Sequence, residues 1–185
     1  MSDHHDRHPD VPEVGRAVLL PGRVFGPSRP LLGAVAEVLL AGGWAVRQVR
    51  WQVPEGIPER KATAWVVDQA RTAADGWAER PLLVGKSLGT RAATYAAKQR
   101  LDAVWLTPLL LDRSVVRAIR RNKARQLLIC GTADTLAWDA AVARSLETEL
   151  LALPDADHGL VVKDDEARTA AGLDRLRAAV SSWLP

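Results

Sequence analysis

Three residues, far apart in the chain, are of the types that acyl-transfer chemistry needs: Ser87, Asp134 and His158. Ser87 stands in Gly85-Lys86-Ser87-Leu88-Gly89, where an apolar run ends and an alanine-rich helical pattern begins. Two chemistries use such a turn. Gly-Lys-Ser closes a phosphate-binding loop, and Gly-x-Ser-x-Gly lifts a nucleophilic serine out of a strand-to-helix turn. The phosphate loop needs Gly-x-x-x-x-Gly-Lys-Ser, so that successive backbone N–H groups wrap the phosphates. Arg80 stands five residues before Gly85, and residues 81–84 read as a strand, so there is no room for that cradle. The nucleophile turn fits its surroundings: a strand runs in and a helix runs out. Glycines flank the serine where the crossing leaves little space for side chains.

A serine hydroxyl is a weak nucleophile and needs a base. Beyond the N-terminal segment, which holds His4, His5 and His8, the chain has one histidine, His158, in "LALPDADHGLVV". It falls in the loop after the last expected strand. A histidine base needs a carboxylate that holds its tautomer and stabilises the imidazolium. Asp134, in "LLICGTADTLAW", follows the fifth expected strand. The chain order Ser87, Asp134, His158 is the order expected for this kind of sheet. Asp139 is better placed to cap the next helix, and Asp155 and Asp157 to shape the histidine loop. An oxyanion needs two preorganised donors. The backbone N–H of Leu88 is one. The loop "LLPGRVFGPSRP" should supply the other, through the N–H of Arg23. The Arg23 side chain either attracts an anionic substrate or is simply solvated. Leu109, Leu110, Leu111 and Trp138 lie at the same sheet edge, where they either line an acyl pocket or belong to the core. With no second core histidine and no cysteine pair, no metal site is expected, and no cofactor.

These residues must be held by a frame, and the rest of the chain describes one. Short apolar runs alternate with helical patterns. Strands are expected at Ala17–Leu20, Trp44–Val49, Pro81–Val84, Ala103–Leu106, Gln126–Cys130 and Leu150–Leu153. Helices are expected at Leu31–Ala41, 60–78, Ser87–Lys98, 114–123, Asp139–Glu147 and 166–182. Strands that are apolar throughout, separated by helices, imply a parallel sheet with helices on both faces. In such sheets the ligand site lies at the carboxyl ends of the strands. Residues 1–14 read as a disordered tail, and residues 15–185 as one domain.

The 185 residues are 48% apolar, with 25 basic and 22 acidic side chains and a net charge of +3. This is an ordinary globular composition. The small positive excess is spread along the chain, which argues against a nucleic-acid partner. No apolar stretch is long enough to span a membrane. Cys130 is the single cysteine; it forms no internal disulfide and reads as a buried small hydrophobe. Without a secretory signal at the N-terminus, the cytoplasm is the expected location.

The segments "VLLPGR", "VGKSLGTRAA", "ICGTADTLAW" and "PDADHGL", in this order and at these strand ends, resemble the α/β-hydrolase superfamily. Within it the chain is similar to the small cap-less serine hydrolases of the carboxylesterase and dienelactone-hydrolase kind. The resemblance covers residues 16–184. It implies a minimal α/β-hydrolase fold with a six-stranded parallel sheet, ordered 2-1-3-4-5-6 in the expected strands, and no lid domain. It also implies Ser87 as nucleophile, Asp134 as acid and His158 as base. The family's usual His-Gly after its first strand here is Pro21-Gly22. Residues 107–125 leave room for one short helix and no lid. An open site excludes water poorly and grips little of its substrate. The expected substrate is therefore a small-molecule or exposed ester-like compound, without activation at an interface. Two other readings remain: a non-catalytic domain of this fold that binds a ligand or partner, and an acyltransferase using the same serine. Seven tryptophans either pack the core or leave some exposed for a dimer face, so the protein is expected to be a monomer or homodimer.

Overall fold

Apolar residues occupy both faces of the inner strands, so the sheet must be covered twice. The computed structural model describes residues 3–23 and 30–185. Its strands are β1 (Asp3–Arg7), β2 (Gly15–Leu20), β3 (Trp44–Arg50), β4 (Leu82–Lys86), β5 (Ala103–Leu106), β6 (Gln126–Gly131) and β7 (Glu149–Leu153). The helices are α1 (Pro30–Ala41), α2 (Glu59–Ala74), α3 (Ala93–Gln99), α4 (Arg113–Arg121), α5 (Ala140–Ser145) and α6 (Glu166–Trp183). Successive strand residues point to opposite sides. Val18, Leu20, Trp105 and Leu128 join one core, under α2, α3, α4 and α5. Ala17, Leu19, Leu106 and Ile129 join the other, under α1 and α6.

The sheet has seven strands in the order β1-β3-β2-β4-β5-β6-β7. Strands β2 to β7 are parallel and keep the expected order. The expectation of six parallel strands is corrected by one: β1 pairs antiparallel with β3, which makes the sheet mixed. β1 reads Asp-His-His-Asp-Arg and lies in the segment expected to be a disordered tail. It carries no apolar alternation, so its sequence gives no strand signal. What holds it is the β3 edge and Arg47. The Arg47 guanidinium donates to both carboxylate oxygens of Asp6, each at 2.8 Å.

The expected helix Ser87–Lys98 is split. Residues Ser87–Ala92 form a 3-10 turn, and α3 follows. Asp139 caps α5 by accepting the Val142 N–H at 2.9 Å, as its position suggests. Among the described residues, no helix is long and apolar enough to cross a membrane.

Candidate active site

The site is built where β4, β6 and β7 end. Ser87 follows β4 directly, and its backbone is left-handed (φ 52°), a conformation non-glycine residues rarely adopt. The turn brings its helix hard against the sheet. A Cβ on Gly89 would fall 2.4 Å from the Leu20 carbonyl oxygen, and one on Gly85 2.8 Å from the Gly89 carbonyl oxygen. Only glycine fits either place.

His158 lies in the loop after β7, and Asp134 in the loop after β6. Asp134 is 4% exposed. Its Oδ1 accepts the N–H groups of Leu136 (2.9 Å) and Ala137 (3.1 Å). Its Oδ2 lies 2.7 Å from His158 Nδ1. An ionised carboxylate only accepts, so Nδ1 carries the proton. Nε2 is then free to accept, and the Ser87 Oγ–H donates to it at 2.8 Å. Burial pushes the Asp134 carboxyl up. The hydrogen bond and charge of His158, with the two N–H groups, outweigh that and hold its pKa below the ordinary value. The flanking aspartates shape the histidine loop. Asp157 Oδ1 accepts from Gly159 (2.7 Å) and Val161 (3.0 Å), while Asp155 pairs with Arg168 at 2.7 Å.

Leu88 is buried in the first turn after the serine, where N–H groups have no intrahelical acceptor. Pro21 and Gly22 are buried beside Ser87: a Cβ on Gly22 would sit 3.4 Å from the Ser87 Cβ. Arg23 follows and is exposed. Residues 24–29, the rest of the expected oxyanion loop, lie outside the described residues. Leu110 is buried in the core, and Leu109 and Trp138 pack half-buried against it. Leu111 is 59% exposed. Among the described residues, no group of three or more His, Cys, Asp and Glu side chains is placed to hold a metal ion. The buried Cys130 thiol is pushed up to about 12 by burial and by Asp134, so it is no rival nucleophile.

Two supporting residues escape sequence reasoning. The Thr90 hydroxyl donates to the Ser87 carbonyl oxygen at 2.6 Å and lies 3.4 Å from the Leu109 N–H, which it accepts. Arg91 is 3% exposed. It donates to Thr63 Oγ1 at 2.8 Å and pairs with Asp112 at 2.9 Å and with Glu59. Together they tie the serine turn to α2 and to the start of α4. In the sequence both look like polar residues of a solvated helix face. Apart from Ser87, their partners lie 19 to 32 positions away and leave no local trace.

The fold so positioned is that of a cap-less α/β-hydrolase. The chain is similar to a serine hydrolase homologue from Coxiella burnetii at 14% identity and a TM-score of 0.73, over 100% of this chain and 92% of the other. It is similar to a dienelactone hydrolase from Anabaena variabilis at 20% identity and 0.67, over 98% and 90%. It is also similar to an α/β serine hydrolase without a lid from Xanthomonas campestris at 16% identity and 0.62, over 100% and 90%. At such identities the likeness is one of fold. No protein-family model and no curated protein sequence matches the chain.

Proposed function

We propose that the protein is a serine hydrolase that cleaves a small or exposed ester-like acyl bond. The observation that carries this reading is the unbroken line from Asp134 through His158 to Ser87, with contacts of 2.7 and 2.8 Å. His158 takes the Ser87 proton as Oγ attacks the substrate carbonyl. The N–H groups of Leu88 and Arg23 hold the oxyanion that forms. His158 then gives the proton to the leaving oxygen, the carbon–oxygen bond breaks, and the acyl group stays on Ser87. Water, deprotonated by His158, attacks that acyl-enzyme, releasing the acid and restoring Ser87. Asp134 holds the imidazole in the required tautomer throughout and offsets its transient positive charge. The buried, single Cys130 is compatible with action in the cytoplasm.

The test is intact mass after incubation with a fluorophosphonate probe, on wild type and on Ser87→Ala. One adduct on the wild type and none on the variant is expected. A folded wild type that gains no adduct overturns the reading.

A further inference from the structure

Trp51 contacts a peptide group that lies beside the serine. It follows the last residue of β3. The parallel register of β2 and β3 runs from Gly15 opposite Trp44 to Leu19 opposite Gln48. Carried past the strand ends, that register sets Trp51 beside Gly22. The Trp51 side chain is buried, and its indole Nε1–H donates to the Gly22 carbonyl oxygen at 3.0 Å. Its ring packs against Trp65, with centroids 5.1 Å apart.

The peptide whose carbonyl accepts this bond is the peptide that bears the Arg23 N–H. Peptides are planar, and no cis bond occurs among the described residues, so its C=O and N–H point in opposite directions. Fixing one end fixes the other. The need is real, because Gly22 has no side chain to resist rotation of that plane. A rotated plane would turn a carbonyl oxygen toward a forming oxyanion. Gly22 lies against Ser87, so the orientation of its peptide matters to the reacting atom. An indole donor held in the core costs no reorganisation during reaction, which is what makes such donors effective.

We propose that Trp51 is a positioning residue, which locks the Gly22–Arg23 peptide plane so that the Arg23 N–H serves the oxyanion at Ser87. The inference rests on the hydrolase reading above. It assigns Trp51 a role in the reaction that ordinary core packing does not require.

The test compares Trp51→Phe, which keeps a buried ring but removes the donor, with Trp65→Phe. The second variant alters the same aromatic pair without touching Gly22. Three quantities are read: the rate of fluorophosphonate labelling at Ser87, kcat and KM on a short-chain nitrophenyl ester, and the affinity of a trifluoromethyl ketone. In Trp51→Phe the labelling rate and kcat should fall about tenfold with KM little changed, a smaller loss than removing a whole oxyanion donor. Ketone affinity should fall by the same factor, because its hemiketal presents the oxyanion. Trp65→Phe should leave all three near wild type. If Trp51→Phe does not fold, the indole N–H resonance of Trp51 is followed in the wild type. The ketone should slow its exchange with solvent, and an unchanged exchange rate overturns the proposal. Wild type and Trp51→Phe labelled equally fast at Ser87 would overturn the role of Trp51 alone. A folded wild type that is not labelled would overturn both this role and the hydrolase reading.

Discussion

Gly131 and Ala156 meet backbone to backbone: a Cβ on Gly131 would fall 2.2 Å from the Ala156 carbonyl oxygen. Gly131 ends β6, three residues before Asp134, and Ala156 lies two residues before His158. The contact is extended by the Ala133 N–H, which donates to the Ala156 oxygen at 2.9 Å, and by the Thr132 N–H, which donates to Leu153 at 3.0 Å. The loops carrying Asp134 and His158 are thus zipped together. The backbone contacts bring the two loops within reach of the 2.7 Å side-chain contact between Asp134 and His158.

Gly131→Ala should therefore force the two loops apart. The obstacle is main chain and cannot swing aside. Overpacking of this kind costs about 1–3 kcal/mol. Thermal melting should show that loss, and ester hydrolysis should fall at least tenfold, because small misplacements of catalytic groups are expensive (~100-fold per ångström). A variant that melts and turns over like the wild type would mean that the acid–base distance is fixed elsewhere.

Asp134→Asn tests the tautomer. An asparagine that keeps the N–H groups of Leu136 and Ala137 on its oxygen presents its amide donor to His158 Nδ1. The imidazole then carries its proton on Nε2 and cannot accept from Ser87. Loss of roughly 10,000-fold in kcat is expected, as for the same change in the serine-protease triad. The same pair of proteins also reads the acid limb of stability. The Asp134 pKa is depressed by folding, so its contribution is complete above the ordinary carboxylate value and vanishes as pH falls through the folded value. Denaturant titrations should show wild type ahead of Asp134→Asn at pH 7, with the gap closing below about pH 4. A gap independent of pH would show that ionised Asp134 does not stabilise the fold.

The parts of this arrangement that the sequence revealed are those with local patterns. Buried parallel strands are mostly apolar runs bounded by turn residues, which is why β2 to β7 could be read directly, while their order followed from the family resemblance. Ser87 announced itself through two glycines that steric crowding demands, and His158 through being the one histidine beyond the N-terminal segment. Asp134 followed from its place after a strand. What stayed hidden is what long-range contact creates. β1 has the composition of a solvated tail and becomes a strand only against β3. Arg91 has an unremarkable place in a helical pattern and is buried only because Glu59, Thr63 and Asp112 converge on it. Trp51 looks like core packing until its indole is found on the Gly22 carbonyl.

The last prediction concerns β1, where a charged segment is held at the edge of the sheet. Besides gripping Asp6, Arg47 donates to the Ala73 carbonyl at 2.9 Å and stacks over Trp77, 4.4 Å from the ring centroid. The Arg47 hydrogen bond chiefly holds the Asp6 pKa below its ordinary value, against the opposing effect of partial burial. Asp6→Asn keeps the shape and removes the charge. The pair is partly exposed, so global stability should change by less than about 1 kcal/mol. Locally the effect should be larger, since β1 carries no apolar side chain and four of its five residues are exposed. Amide exchange across Asp3–Arg7 should quicken several-fold in Asp6→Asn, while exchange in β4 and β6 stays as it was. Reactivity at Ser87 should not move, because β3 and β2 stand between β1 and the strand that carries the serine. Unchanged exchange in β1 would mean that its backbone bonds to β3 suffice without the ion pair. A change in serine reactivity would mean that the edge strand reaches the site through the sheet.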